Sequence, residues 1–181
     1  MKLLPGGLAG GSSGRTTSSD QPQQPGLNDC YNVLFVCADN SVKSLIAEAI
    51  LKRWGGHEFR AFSAGIAPLS ACHPLAAEVL KEQRVWNDGL HSKGCQEFLA
   101  PGAPPMDFVI SLGEQPPASL PNSWPGHPKV IHWHISEPML DGKAPLKTQS
   151  LRRTFLELEN RIKLMVLVYQ HDAMRSAATA A

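Results

Sequence analysis

Apolar and polar positions along the chain fall into two rhythms that alternate. The run "NVLFV" at residues 32 to 36 is continuously apolar and short, the pattern of a strand buried on both faces. From Ser44, residues Leu45, Ile46, Ala49, Ile50 and Trp54 recur at helical spacing until Gly55 and Gly56 stop them. A second strand follows in "FRAFSAG" (59 to 65), and a second helix in "HPLAAEVLKEQ" (73 to 83), with Pro74 in its first turn and His73 at its start. "DFVISL" (107 to 112) and "KVIHW" (129 to 133) read as a third and a fourth strand, each preceded by a loop rich in proline and glycine. The last helix, about 146 to 169, carries Leu151, Phe155, Leu158, Ile162, Met165 and Val166 on one face. Strands alternating with helices predict an α/β fold: four parallel strands in one sheet with helices on both faces.

Residues 1–29 are rich in Gly, Ser, Thr, Pro and Gln, with almost nothing apolar after Leu8, and are expected to form a flexible N-terminal tail. The closing "RSAATAA" has no packing pattern, so residues 171–181 are expected to be a flexible C-terminal tail, leaving one domain over 30–170. That extent suits a chain of 181 residues with 43% hydrophobic side chains, enough for one ordinary core. A formal charge of +1 offers no electrostatic footprint for nucleic acid or an anionic membrane surface. Four cysteines, Cys30, Cys37, Cys72 and Cys95, show neither CxxC pairing nor metal-ligand spacing. Reduced thiols in a cytoplasm are the expectation, and no apolar run reaches membrane-spanning length. No cofactor or metal is called for. His132 and His134 stand two apart on a strand without a third ligand at suitable spacing, which reads as a structural pair or a pocket wall. Asn87 and Asp88 shape a turn, and Cys30 sits at the tail's edge.

The chemistry concentrates at the first strand-to-helix turn, Cys37 to Ser44. In a parallel sheet, ligands bind at the carboxyl ends of the strands, and successive loop amides leading into a helix N-terminus make a concave set of donors for an oxyanion. The same field favours a thiolate over a thiol, which makes Cys37 a candidate nucleophile. Lys43 in a helix's first turn works against the helix dipole, so it reads either as a solvated lysine or as the sign of an anion nearby.

These residues resemble the oxyanion loop of the low-molecular-weight protein tyrosine phosphatases and the related arsenate reductases. The similarity runs through "VLFVCADNSVKSLIAEAIL", "RAFSAG", "HSKGCQEFLAPGAPPMDFVISL" and "WPGHPKVIHWHISEP", nearest to the bacterial arsenate-reductase branch. It implies the fold of those phosphatases, a four-stranded parallel sheet flanked by helices. It also implies roles. Cys37 matches the nucleophile. The amides of Ala38, Asp39, Asn40, Ser41, Val42 and Lys43 match the oxyanion donors. Ser44 matches the hydroxyl that supports the thiolate, and Asn40 the asparagine that holds the loop's shape. Ser63 resembles the usual partner behind that asparagine, and Glu137 stands where the family's acid protonates the leaving oxygen.

Three departures qualify the match. Lys43 replaces the family's arginine, keeping a charge but losing a bidentate fork, which costs roughly 3 kcal/mol in the transition state, or about two orders of magnitude in rate. Glu137 replaces aspartate and adds a methylene. The cysteines that relay electrons in the reductases are missing: the corresponding positions are Gly113 and Pro121, and "GEQPPASLPNSW" contains no cysteine, while Cys72 and Cys95 lie elsewhere. Three readings stand at this level. One is a weak phosphomonoesterase or tyrosine phosphatase working through a Cys37 phosphoenzyme. A second is a catalytically impaired regulatory protein that binds phosphate or arsenate. The third is an arsenate reductase drawing on an external thiol, glutathione or thioredoxin. Trp86, Trp124 and Trp133 are candidate walls for a substrate.

Overall fold

The structure, a computed structural model, describes residues 30–180, so the expected N-terminal tail lies outside the described residues. The strands are β1 (Tyr31–Cys37), β2 (Phe59–Gly65), β3 (Phe108–Gly113) and β4 (Lys129–His134), and the helices are α1 (Lys43–Trp54), α2 (Pro74–Glu82) and α3 (Ala144–Ala180). All strand pairs are parallel and the sheet order is β2-β1-β3-β4. The order places β1 in the interior, which is why "NVLFV" carries no polar alternation. Val33, Phe35 and Cys37 point into one core, and Leu34 and Val36 into the other.

The two faces are covered unequally. The buried apolar residues of α1, α2 and α3 all join the core that contains Val33 and Phe35. The opposite face is closed by a 3₁₀ turn over Cys95–Phe98, with Met106 and Trp124, a helical piece that the hydrophobic rhythm did not reveal because it is a single turn. Leu151, Phe155, Leu158, Ile162 and Val166 are buried along α3 as their spacing predicts, and Met165 is half-buried. The Tyr169 ring closes the end of the sheet against Tyr31, Phe59 and Phe108 at centroid distances of 5.3, 6.1 and 5.1 Å. Helix α3 does not stop there. Residues 171–180, expected as a flexible tail, continue it, because "HDAMRSAATA" contains neither glycine nor proline to end a helix and is rich in alanine.

Helix α1 ends where Gly55 allows the chain to turn back: a Cβ there would lie 2.7 Å from the Leu51 carbonyl oxygen and 2.8 Å from Phe59 Cβ. Helix α2 starts as read, with Pro74 in the first turn and the Nδ1 of His73 accepting from the Leu75 amide at 3.2 Å. No helix among the described residues is long and apolar enough to cross a membrane.

Candidate active site

Cys37 is the last residue of β1, 1% exposed, and the chain leaves it through residues 38–42 into α1. The loop is fixed from outside by its carbonyls. Those of Cys37, Ala38, Asp39 and Ser41 accept from the amides of Ile66, Ala67, Leu69 and His73 at 2.9 to 3.1 Å. A loop whose carbonyls are engaged on one side turns its amides to the other. The loop packs so closely on β2 that a Cβ on Gly65 would sit 2.8 Å from the Asn40 amide nitrogen, a contact only glycine avoids.

Asn40 is the pin of the loop. Its φ of 49° is left-handed, a conformation asparagine tolerates better than most residues, and it is fully buried. Its Nδ2 donates to Ser44 Oγ at 2.7 Å and its Oδ1 accepts from the Lys93 amide at 2.6 Å. Ser44 Oγ lies 2.9 Å from Cys37 Sγ, and the Asn40 amide donates to the same sulfur at 3.3 Å. With Asn40 Nδ2 occupying a lone pair of the hydroxyl, the Ser44 proton is free to point at sulfur, so Sγ can receive two hydrogen bonds.

Ser63 stands elsewhere than the resemblance implied. It is buried on β2, and its hydroxyl donates at 2.5 Å to Glu48 of α1. The partner behind Asn40 is instead Lys93, whose carbonyl also accepts from Gly65 at 2.8 Å and whose ammonium reaches Glu48 at 3.2 Å. Lys52 completes the set at 2.6 Å from the same carboxylate. Glu48 is thus a buried charge paired twice, and it anchors the segment that clamps Asn40. Neither Glu48 nor Lys93 was legible in the sequence. One reads as a polar residue in a helix, and the other lies 53 positions from Asn40 with no periodicity to connect them.

Lys43 begins α1 with its side chain only 6% exposed, and its ammonium bonds the carboxylate of Glu137, which is 63% exposed. The two residues that the resemblance assigned to charge and acid are therefore brought together. Nζ also lies 3.8 Å from where a Cβ on Gly113 would be, so the first missing relay position borders the lysine. Asp39, half-buried, turns inward: its Oδ1 accepts from the Ser41 amide at 3.0 Å and from the Cys37 thiol at 3.8 Å.

Cys95 is closer to the site than its sequence position suggested. Cys37 is the register partner of Gly65, Gly65 bridges to Gly94, and Cys95 follows on the opposite face. Burial pushes its thiol up to about 11, with the charge of Cys37 adding to the effect. Burial likewise raises the thiol of Cys72, whose Sγ donates to the His73 carbonyl at 3.6 Å. Trp124 is 4% exposed inside the second core and is no pocket wall, because that face needs it for packing. Trp133 packs against Phe35 in a tilted arrangement with ring centroids 6.0 Å apart, and Trp86 lies under Lys81 at 5.4 Å. His132 Nδ1 pairs with Ser111 Oγ at 2.9 Å, and His134 Nδ1 with the Glu114 carbonyl at 3.1 Å.

A thiol at the carboxyl end of a parallel strand, held by a hydroxyl and an amide within a loop that enters a helix, defines an α/β protein with a cysteine-centred strand-to-helix loop. Comparison with known families makes the class specific. Residues 32–173 match the model of the low molecular weight phosphotyrosine protein phosphatases, and the chain belongs to that family. It is 28% identical over 132 residues to an arsenate reductase of Bacillus subtilis, covering 72% of this chain and 91% of that one. A glutaredoxin arsenate reductase of Synechocystis is 30% identical over 112 residues, 62% of this chain and 80% of its own. Among solved structures, an arsenate reductase of Archaeoglobus fulgidus superposes with a TM-score of 0.58 at 26% identity, covering 74% of this chain and 98% of that chain.

Proposed function

We propose that this protein is a slow cysteine-dependent phosphomonoesterase. The observation that carries the reading is the pair of donors on Cys37 Sγ, from Ser44 and the Asn40 amide, inside a loop four of whose carbonyls are bonded from outside. Sγ attacks phosphorus in line, the P–O bond to the alcohol breaks, and Glu137 gives its proton to the leaving oxygen. Water then attacks the phosphocysteine with Glu137 as base, which returns the thiolate and releases phosphate. The loop amides other than those of Asn40 and Ser41, which are bonded to Cys37 Sγ and Asp39 Oδ1, receive the charge on the equatorial oxygens together with the Lys43 ammonium, for which Lys43 must exchange Glu137 for the anion. That exchange, and the absence of a bidentate fork, support low turnover.

A second reading has the support of the relatives' names. Cys37 Sγ would attack arsenic and displace one arsenate oxygen as water, and the S–As adduct would be reduced by an external thiol, glutathione or a thioredoxin- or glutaredoxin-type protein. That thiol attacks Sγ and releases arsenite, leaving a mixed disulfide that a second thiol reduces. The loop after β3 contains no cysteine to do this internally. The four cysteines are unpaired, which suits a reducing compartment, and we assign the protein to the cytoplasm. Release of phosphate from an aryl phosphate, lost in Cys37→Ser, supports the first reading. Arsenite formed from arsenate with glutathione, and no phosphate release, replaces it with the second.

A further inference from the structure

An anion site normally presents donors only, yet here a carboxylate is built into the loop. Asp39 Oδ1 accepts from the Ser41 amide at 3.0 Å and from the Cys37 thiol at 3.8 Å, a position that a ligand oxygen bonded to that amide would contest. The carboxylate is not there to balance the loop's cation, because Lys43 already has Glu137. An ionised carboxylate accepts hydrogen bonds and donates none. An oxygen that approaches it must therefore bring a proton of its own, or meet charge repulsion at close quarters.

We propose that Asp39 makes the loop select tetrahedral oxyanions that carry a proton, with Asp39 accepting a hydrogen bond from a ligand P–OH or As–OH. Inorganic phosphate and arsenate retain a proton at neutral pH and satisfy it. Sulfate carries none and is rejected. A phosphomonoester, whose second ionisation falls near pH 6, satisfies Asp39 only as its monoanion, so it is taken on the acid side of neutrality. The proposal rests on the reading of the loop as an oxyanion site and deepens it, by naming the protonation state of the ligand.

The charged and titratable groups around Asp39 are few. Cys37 faces it from β1, and the Lys43–Glu137 pair closes the loop's far end. From the segment that packs outside the loop, Cys72 and His73 turn away, one bonded to a carbonyl and the other capping α2. Asp39 is the only one of these groups whose carboxylate engages a loop amide among the described residues.

The test is calorimetric titration of the full chain at neutral pH with inorganic phosphate and with sulfate, repeated on Asp39→Asn and Asp39→Ala, with protection of Cys37 from iodoacetamide as a second readout. Phosphate is expected to bind the native chain at least tenfold more tightly than sulfate, and both variants to bring the two anions to within about threefold. Equal binding of the two anions by the native chain overturns the proposal while leaving the oxyanion reading intact. Binding of both anions by the variants but neither by the native chain makes Asp39 an internal plug, and also overturns it. If no chain binds either anion, the oxyanion reading itself fails and the proposal falls with it.

Discussion

Lys43 and Glu137 form a direct ion pair across the mouth of the loop, with the lysine buried and the glutamate exposed. A buried ammonium needs a partner, and in the absence of an anion Glu137 supplies it. Glu137→Gln is therefore expected to separate affinity from turnover. Phosphate, read by calorimetry, binds more tightly because Lys43 is released, while hydrolysis of an aryl phosphate falls by about two to four orders of magnitude because the acid is lost. Lys43→Arg is expected to raise turnover by up to about a hundredfold, since a planar fork binds two equatorial oxygens at once.

Asn40 connects Ser44, the hydroxyl partner of Cys37, to Lys93 through two buried side-chain bonds. Removing it strands a buried amide and leaves Ser44 free to rotate. Asn40→Ala is expected to cost about 1–3 kcal/mol for each donor or acceptor left unpaired. Thermal unfolding by calorimetry checks the cost, and an altered rate of alkylation of Cys37 checks the displacement of its hydroxyl partner.

Gly65→Ala places a methyl group 2.8 Å from the Asn40 amide nitrogen and equally close to the Asp39 carbonyl carbon. Both are backbone atoms, so nothing flexible can give way, and an overpacking cost of about 1–3 kcal/mol is expected. The signature is loss of phosphate binding greater than the fall in melting temperature alone would account for, because the displaced atoms belong to the loop itself.

The buried thiol of Cys95 links folding to alkaline pH. Its ionisation is raised from 9.0 to about 11 in the folded chain. A group whose folded value is raised contributes stability that is complete below pH 9.0 and is lost as the pH passes through about 11. Unfolding by urea at pH 8 and at pH 10.5 is expected to show that loss, and Cys95→Ala to remove it.

Much of this architecture was written in hydrophobic rhythm. All four strands, the start of α2 and the buried face of α3 follow from spacing alone, since burial on one or two faces dictates which positions are apolar. The loop's place from Cys37 through Ser44 was legible because strand, turn and helix start are contiguous. The rest was hidden for physical reasons. Lys93, Glu48 and Ser63 form one buried network from three distant segments, and only the fold brings their charges together. Asp39 was counted as an amide donor, and no pattern of residues could reveal that its side chain turns inward. The 3₁₀ turn at Cys95–Phe98 is too short to show a period, and α3 outran its amphipathic stripe because a helix needs only propensity to continue.

The most direct measurement is rapid quenching of the chain mixed with an aryl phosphate, followed by mass spectrometry of the peptide that contains Cys37. A phosphoryl group on Cys37 that forms and decays at the rate of turnover, and is absent from Cys37→Ser, is the expected result. Phosphate release that persists in Cys37→Ser, with no phosphoryl group ever found on the sulfur, contradicts a catalytic role for this loop.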